Sequence, residues 1–450
     1  MKKLFGTDGI RGKVDEYPMT AEFAGRVGRA VGYILKKEDY KVKAVIGRDT
    51  RKSGRMFEES LSEGLISLGA DVILVGIIPT PGIAFLTQRL NADCGIVISA
   101  SHNPYQDNGI KLFSGEGFKL TDEQEDEIER LVLSNDLDKQ VGSTPEIGGV
   151  IPYRDAAADY LEFLIASFPQ DLDLKGIRIM IDCAHGATYE VAPALFQALG
   201  AEVEALHVKP DGRNINLDCG STHPEILRQE LIRMKADVGL AFDGDGDRVI
   251  ALDEKGEFVT GDKIIAVCCQ RLLKEGRLLN NCVVHTVMSN LGLSVALEKM
   301  GVRGIASQVG DRYVLEKMEK NGAVLGGEDS GHIIFREYHT TGDGLISALQ
   351  LLGSMKKENS RLSELTSIMT VFPQILLNVE AKRKPDLSSF PEIVKVIKGV
   401  EEELGDRGRV LVRYSGTQNL CRIMVEGSTK ETTERSAQKI ADVVHKKLNE

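Results

Sequence analysis

Through most of the chain, short apolar runs alternate with helix-length amphipathic segments. "KVKAVIG" (41–47) has strand character, and "SGRMFEESLSEGLISLG" (53–69) carries apolar residues at helical spacing. "ADVILVG" (70–76) predicts a strand, "PGIAFLTQRLN" (81–91) a helix and "CGIVIS" (94–99) another strand. Such alternation implies a largely parallel sheet layered with helices. One junction recurs. Leu68-Gly69-Ala70 feeds "DVILVG", Leu199-Gly200-Ala201 feeds "EVEALHV", and Met300-Gly301-Val302 feeds "RGIASQV". Each glycine suits the left-handed residue that closes a helix before a strand. Three such junctions predict three related α/β domains. From about Pro373 the pattern changes. The strand "QILLNVEA", a helix over Pro391 to Leu404, strands at "GRVLVRYSG" and "LCRIMVEG", and a helix from Glu431 predict a C-terminal α+β domain. The expected domains are 1–155, 156–255, 256–370 and 371–450.

Composition narrows the class. At 450 residues the chain exceeds one ordinary core. Its 42% hydrophobic and 27% charged residues describe a soluble globular protein. A net charge of -11 argues against a nucleic-acid partner and makes any local cluster of cations notable. "MKKLFGTDGIRG" is no secretory signal, and no run has the length of a membrane helix. The seven cysteines form no C-x-x-C pair, so free thiols in a reducing cytoplasm are expected.

Four polar stretches stand out. In "GIVISASHNPYQDNGIK" (95–111) an apolar strand breaks off into Ser99, Ser101, His102 and Asn103, and Pro104 imposes a defined loop. In "VGLAFDGDGDRVIALDEKG" (238–256) Asp243, Asp245 and Asp247 follow another apolar strand, and three such close carboxylates call for a cation. An EF-hand is disfavoured: Arg248 replaces its sixth-position glycine and the flanks are strands. In "GGEDSGHIIF" (326–335) Glu328, Ser330 and His332 alternate, and on an extended backbone would share one face suited to a polyhydroxylated ligand. In "VRYSGTQNLCR" (412–422) Arg413, Ser415, Gly416, Thr417 and Arg422 have the composition of a phosphate cradle without the G-K-[ST] of a P-loop. The N-terminal "FGTDGIRG", with Thr7, Asp8 and Arg11, reads as a segment pinned into the fold. Around one interdomain cleft these loops would combine a serine, a metal, a hydroxyl-reading loop and a second phosphate grip, which is phosphoryl transfer through a phosphoserine.

"FGTDGIRG", "SASHNPYQDNGIK", "NINLDCGSTHPE", "DGDGDR", "GGEDSGHIIF" and "TTGDG", in this order over essentially the whole chain, resemble the α-D-phosphohexomutase superfamily. They look most like its members acting on glucosamine phosphates. The resemblance implies a heart-shaped, four-domain isomerase that interconverts glucosamine 6-phosphate and glucosamine 1-phosphate and feeds UDP-N-acetylglucosamine and cell-wall precursor synthesis. It implies that Ser101 is the phosphoserine and that a bound 1,6-bisphosphate forms, the same kind of compound serving as activator. One Mg²⁺ per subunit is expected on Asp243, Asp245, Asp247 and the Ser101 phosphate. Lys111 and His102 fall where proton transfer is assisted, Lys111 being the better acid/base candidate. Arg11 and Arg248 would line the centre. Glu328 and Ser330 would bind sugar hydroxyls with His332 nearby, and Arg413, Ser415, Gly416, Thr417 and Arg422 would hold the non-reacting phosphate. The expected partner is a small sugar phosphate, with neither nucleic acid nor membrane; the location is cytoplasmic, and the resemblance admits a homodimer.

The phosphate loop departs from the family's Arg-Pro-Ser-Gly-Thr-Glu-Pro: Tyr414, Gln418 and Asn419 replace both prolines and the glutamate. Losing the prolines loosens the loop before binding. Competing readings are a phosphomannomutase or phosphoglucomutase of the same superfamily, a metal-dependent sugar phosphatase and a non-catalytic sugar-phosphate sensor.

Overall fold

The computed structural model describes all residues except 1–3, 7, 37–39, 135–146, 382, 416–418 and 450. Gly416, Thr417, Gln418 and Thr7 therefore lie outside the described residues. Four sheets follow one another along the chain. The first has strands β1 (Ile10–Lys13), β2 (Lys43–Arg48), β3 (Asp71–Ile77), β4 (Cys94–Ile98), β5 (Asp107–Ser114) and β6 (Val150–Pro152), in the order β1-β5-β4-β2-β3-β6. The second has β7 (Arg178–Asp182), β8 (Glu202–Leu206), β9 (Val238–Phe242), β10 (Val249–Leu252) and β11 (Phe258–Val259), ordered β11-β10-β9-β7-β8. The third has β12 (Cys282–Thr286), β13 (Arg303–Ser307), β14 (Leu325–Gly327) and β15 (Ile333–Phe335), ordered β13-β12-β14-β15.

These three sheets share one plan. An inner trio is parallel (β4-β2-β3, β9-β7-β8, β14-β12-β13), and a fourth strand returns antiparallel beside the trio's last strand. The parallel pairing expected from the sequence holds for the trio, which β6 extends in the first sheet by pairing parallel with β3. The fourth strand is antiparallel because it follows after a short polar turn, too short for a helical crossover. Those turns are the three polar loops: Ser99–Gln106 between β4 and β5, Asp243–Arg248 between β9 and β10, and Glu328–His332 between β14 and β15.

Local sequence explains the elements. The helix Ala21–Leu35 buries Phe23, Ala24, Val27, Ala30 and Val31 along one stripe, and its Thr20 hydroxyl accepts from the Phe23 amide. Thr121 and Gln124 form a reciprocal capping box on Asp122–Leu133. Gly69, Gly200 and Gly301 have φ of 90°, 92° and 71°, the left-handed closure foreseen at the three repeated junctions. Inner strands β4 and β9 are buried on both faces, which is why they read as unbroken apolar runs.

The chain separates into two compact units, Met1–Val287 with Arg303–Ser367, and Met288–Val302 with Ile368–Glu450. The first contains the three α/β sheets. The second contains an antiparallel sheet of β16 (Gln374–Glu380), β17 (Arg409–Tyr414) and β18 (Leu420–Glu426) in the order β16-β18-β17, covered by helices Pro391–Leu404 and Lys430–Asn449. Its core gathers Val379, Ile393, Val400, Ile423, Val425, Ile440 and Val444. Among the described residues no helix is long and apolar enough to cross a membrane, and all seven cysteines are buried and free.

Candidate active site

In the larger unit, two of the hairpin turns meet. The Ser101 hydroxyl donates to Asp243 Oδ2 at 2.6 Å, across a sequence separation of 142 residues. Ser101 has φ 52°, a left-handed conformation that a non-glycine residue adopts only when its surroundings enforce it. Here they do. The Ser101 amide donates to Ser99 Oγ, and the Ser101 carbonyl accepts from Arg51 Nη2 at 2.9 Å and Asn216 Nδ2 at 2.8 Å. Ser99 in turn donates to Asp49, so it shapes the loop while Ser101 faces the carboxylates. Gly244 is required at the contact, because a Cβ there would stand 2.6 Å from the Ser101 carbonyl oxygen.

Arg51 is a residue that sequence reasoning missed. Fully buried, it pairs with Asp49 at 2.9 Å and donates to the carbonyls of Ser101, Asn103, Pro104 and Asp107, so one guanidinium organises the whole serine loop. The only signal was the polar run Arg48-Asp49-Thr50-Arg51 directly after an apolar strand. Thr80 was also missed. Its amide and hydroxyl donate to the Asp245 carbonyl and carboxylate, at 2.9 and 2.6 Å.

Asp243, Asp245 and Asp247 are buried, and one carboxylate oxygen from each lies within 4.8 Å of the others. Oδ1 of Asp245 and Oδ1 of Asp247 are buried without a hydrogen-bond partner. Burial, then Asp247 and Asp245, hold the Asp243 carboxyl well above the usual carboxylate range. Burial pushes Asp247 up as well, but Lys111, His332 and Arg248 outweigh it and hold Asp247 well below that range. Hard oxygen donors with unsatisfied buried lone pairs fit a Mg²⁺-class cation, whose remaining oxygen ligands would come from waters or a phosphate.

The cations are built around this cluster. Lys111, in the buried strand β5, places Nζ 2.8 Å from Asp245 Oδ2, 3.4 Å from Asp247 Oδ2 and 3.0 Å from Asp8 Oδ2. Burial lowers its affinity for a proton, but Asp245, Asp8 and Asp247 more than reverse this, so it is a firm cation. Arg11, in β1, pairs with Asp8. The N-terminal segment is pinned as expected, with Ile10 opposite Ile110 and Gly12 opposite Asn108. Arg248 donates to His102 Nδ1 at 3.1 Å, and Ser101 Oγ lies 3.3 Å from the same nitrogen. Burial and the neighbouring Arg248 and Arg11 push His102 down to about 4, so it is neutral and accepts.

The third hairpin differs from expectation. Residues 328–332 turn rather than extend: the Glu328 amide donates to the His332 carbonyl, the Gly331 amide to the Glu328 carbonyl, and Gly331 has φ 91°. The alternation of Glu328, Ser330 and His332 therefore does not place them on one face. Ser330 is exposed and lies 3.4 Å from Glu328 Oε2, while Glu328 Oε1 accepts from the Gly310 amide. His332 is buried, with Nδ1 3.6 Å from Asp247 and Nε2 3.5 Å from Asp311. Its ring joins the acidic loop. Asp311 also pairs with Lys119, which pairs with Asp8, each at 2.5 Å. A closed chain of ionisable contacts thus runs Asp247–His332–Asp311–Lys119–Asp8–Lys111 and back.

The smaller unit holds the arginine hairpin. Arg413 on β17 and Arg422 on β18 are directly opposite in the antiparallel ladder, both half-buried. Ser415 begins the turn, its amide donating to the Leu420 carbonyl and its carbonyl accepting from Lys384 Nζ at 2.6 Å. Two cationic residues directly opposite on neighbouring strands make a position that an anion would favour.

A fold of three α/β domains and one α+β domain, with a serine against a trio of aspartates, defines a phosphohexomutase-type isomerase. Models of the four phosphoglucomutase/phosphomannomutase domains match in order: α/β/α domain I at residues 2–139, α/β/α domain II at 158–256, α/β/α domain III at 260–372 and the C-terminal domain at 376–443. The chain belongs to the phosphoglucomutase/phosphomannomutase family. It is 57% identical over 448 residues to a phosphoglucosamine mutase of Syntrophus aciditrophicus, covering 100% of both chains. It is 54% identical to a phosphoglucosamine mutase of Syntrophobacter fumaroxidans, covering 99% of each. A phosphoglucomutase/phosphomannomutase family protein from Burkholderia thailandensis shares the fold with a TM-score of 0.81 at 24% identity, over 98% of this chain and 96% of that one. The N-acetylphosphoglucosamine mutase of Aspergillus fumigatus, solved with GlcNAc-6P and magnesium, gives 0.68 at 17% identity over 99% and 96%.

Proposed function

We propose that this chain interconverts glucosamine 6-phosphate and glucosamine 1-phosphate, with Ser101 carrying the phosphoryl group and a 1,6-bisphosphate held between two half-reactions. The observation that carries the reading is the Ser101 hydroxyl 2.6 Å from Asp243, inside a buried carboxylate trio with two unsatisfied oxygens. In the first half-reaction the Ser101 Oγ–P bond breaks and a P–O bond to a sugar hydroxyl forms; the hydroxyl's proton leaves and the serine oxygen regains one. Asp243, Asp245 and Asp247 would hold a Mg²⁺, one per subunit, which when bound neutralises the phosphoryl oxygens. Lys111, kept cationic by three carboxylates, is suited to donate toward the departing serine oxygen rather than to take the sugar's proton. Arg248 and Arg11 add positive charge around the transferring group, and neutral His102 accepts from Arg248 beside the serine. Glu328, with Ser330 at its side, reads sugar hydroxyls. Arg413, Arg422 and Ser415, with Gly416 and Thr417, grip the non-reacting phosphate; the directly opposed arginines support this.

Domain boundaries near residues 155, 256 and 371 belong to the same reading, supported by the four separate sheets. A cytoplasmic homodimer that supplies amino-sugar precursors of the cell wall accords with it. The test is a mutase assay with Mg²⁺ and a trace of hexose 1,6-bisphosphate, comparing glucosamine, glucose and mannose phosphates, alongside intact mass of the protein. Fastest turnover of the glucosamine phosphates and a phosphoryl adduct on Ser101 are expected. A clear preference for mannose 1-phosphate, or inorganic phosphate released at the rate of sugar turnover, would overturn it.

A further inference from the structure

A second cluster of metal-binding side chains lies apart from the acidic loop, at the ends of strands in the second sheet. Asp182 is the last residue of β7, His207 follows β8, and Cys219 directly precedes the short turn Gly220–Thr222. Ligand atoms of the three all lie within 4.8 Å of one another. Asp182 and Cys219 are fully buried, and the His207 side chain keeps 21% of its surface exposed, which leaves an entry path. Two backbone amides orient the carboxylate, Ala184 onto Oδ1 at 2.9 Å and Gly220 onto Oδ2 at 3.0 Å.

His207 Nδ1 stands 3.0 Å from Asp182 Oδ2, yet this buried nitrogen makes no aligned hydrogen bond. That spacing suits a His–Asp pair and is also close to that of two ligands of one ion, since tetrahedral zinc ligands are about 3.3 Å apart when each bond is about 2.0 Å. Cys219 is a free thiol with no disulfide partner. One oxygen, one imidazole nitrogen and one sulfur make a far softer donor set than the all-oxygen trio at 243–247, and they select zinc or cobalt(II) over magnesium.

We propose that Asp182, His207 and Cys219 form a second metal site for one zinc-class ion, with a fourth position open to water. On binding, the Cys219 S–H proton passes to solvent and the thiolate bonds the ion. The site has a structural consequence for the serine loop. Asn216, three residues before Cys219, donates through Nδ2 to the carbonyls of Ser101 at 2.8 Å and Asn103 at 3.0 Å, and its amide donates to the Ala184 carbonyl. An ion joining the ends of β7 and β8 to this segment braces the peptide that presents Ser101.

The full-length protein, stripped with a chelator and returned to excess Mg²⁺ to occupy hard-oxygen sites, is titrated with Co²⁺. A thiolate-to-cobalt charge-transfer band saturating at one ion per chain, and bleached by Zn²⁺, is the expected result. Cys219→Ser abolishes the band, and His207→Gln, at the more exposed ligand, weakens cobalt binding by at least about tenfold. No thiolate band, a band that persists in Cys219→Ser, or unchanged affinity in His207→Gln would each overturn the proposal. Because the readout is spectroscopic, it stands or falls separately from the mutase assay.

Discussion

The acidic loop at 243–248 crowds like charges onto one turn between antiparallel strands, and the arginine hairpin at 413–422 sets them opposite each other on two antiparallel strands, yet the two are restrained differently. The three aspartates are buried and held by Ser101, Thr80, Lys111 and His332 from distant parts of the chain. Arg413 and Arg422 are half-buried on neighbouring strands. The acidic loop is pre-organised by tertiary contacts, as a reacting centre must be if reorganisation is not to raise its barrier. The arginine hairpin places its two guanidinium-bearing residues through a local ladder, which would suffice for the proposed grip on a phosphate that does not react. Like charge is therefore costly in the first place and cheap in the second, and substitutions should separate the two.

The largest effect is expected at the centre of the buried network. Ser101→Ala should lower sugar-phosphate interconversion by at least about 10³-fold with the fold intact, measured by product formation and circular dichroism, because the proposed reaction leaves no other group to carry the phosphoryl. Arg51→Met should cost about 3–5 kcal/mol in urea unfolding, since Asp49 would be left as a buried unpaired charge and four carbonyls would lose their donor. Arg51→Lys should recover little, one ammonium being unable to reach five acceptors. His332→Ala should weaken Mg²⁺ activation about 10–100-fold by releasing Asp247, with little change in sugar-phosphate KM. A shift in that KM with unaltered Mg²⁺ dependence would instead return His332 to the sugar. The smallest effect is expected in the other loop. Arg413→Ala should raise KM about tenfold, leave kcat nearly unchanged and alter unfolding stability by under about 0.5 kcal/mol. A stability loss as large as that of Arg51→Met would erase the distinction between the two loops.

Legibility from sequence followed the same division. Strands β4 and β9, the helix Pro391–Leu404 and the hairpin strands β17 and β18 were readable because apolar spacing and turn residues are local signals. The three glycine-closed junctions were readable for the same reason. The antiparallel return of β5, β10 and β15 was not, since a short buried strand carries no mark of its direction. The extended alternation expected at Glu328, Ser330 and His332 failed because Gly331 turns the chain back. Arg51 escaped notice because its five acceptors, four of them main-chain carbonyls, leave no residue-type pattern.

The sequence by itself determined which segments become strands and helices, where the three repeats close and which loops carry charge, because propensity, periodicity and capping act within a few residues. Only the tertiary structure decided that Ser101 meets Asp243 and that Lys111 meets Asp245, contacts spanning 142 and 134 residues. It also decided that His332 faces the acidic loop and that Arg51 holds the serine peptide in its left-handed turn. These depend on burial, which removes water as the competing partner and makes each charge's neighbours, rather than its position in the chain, set its state.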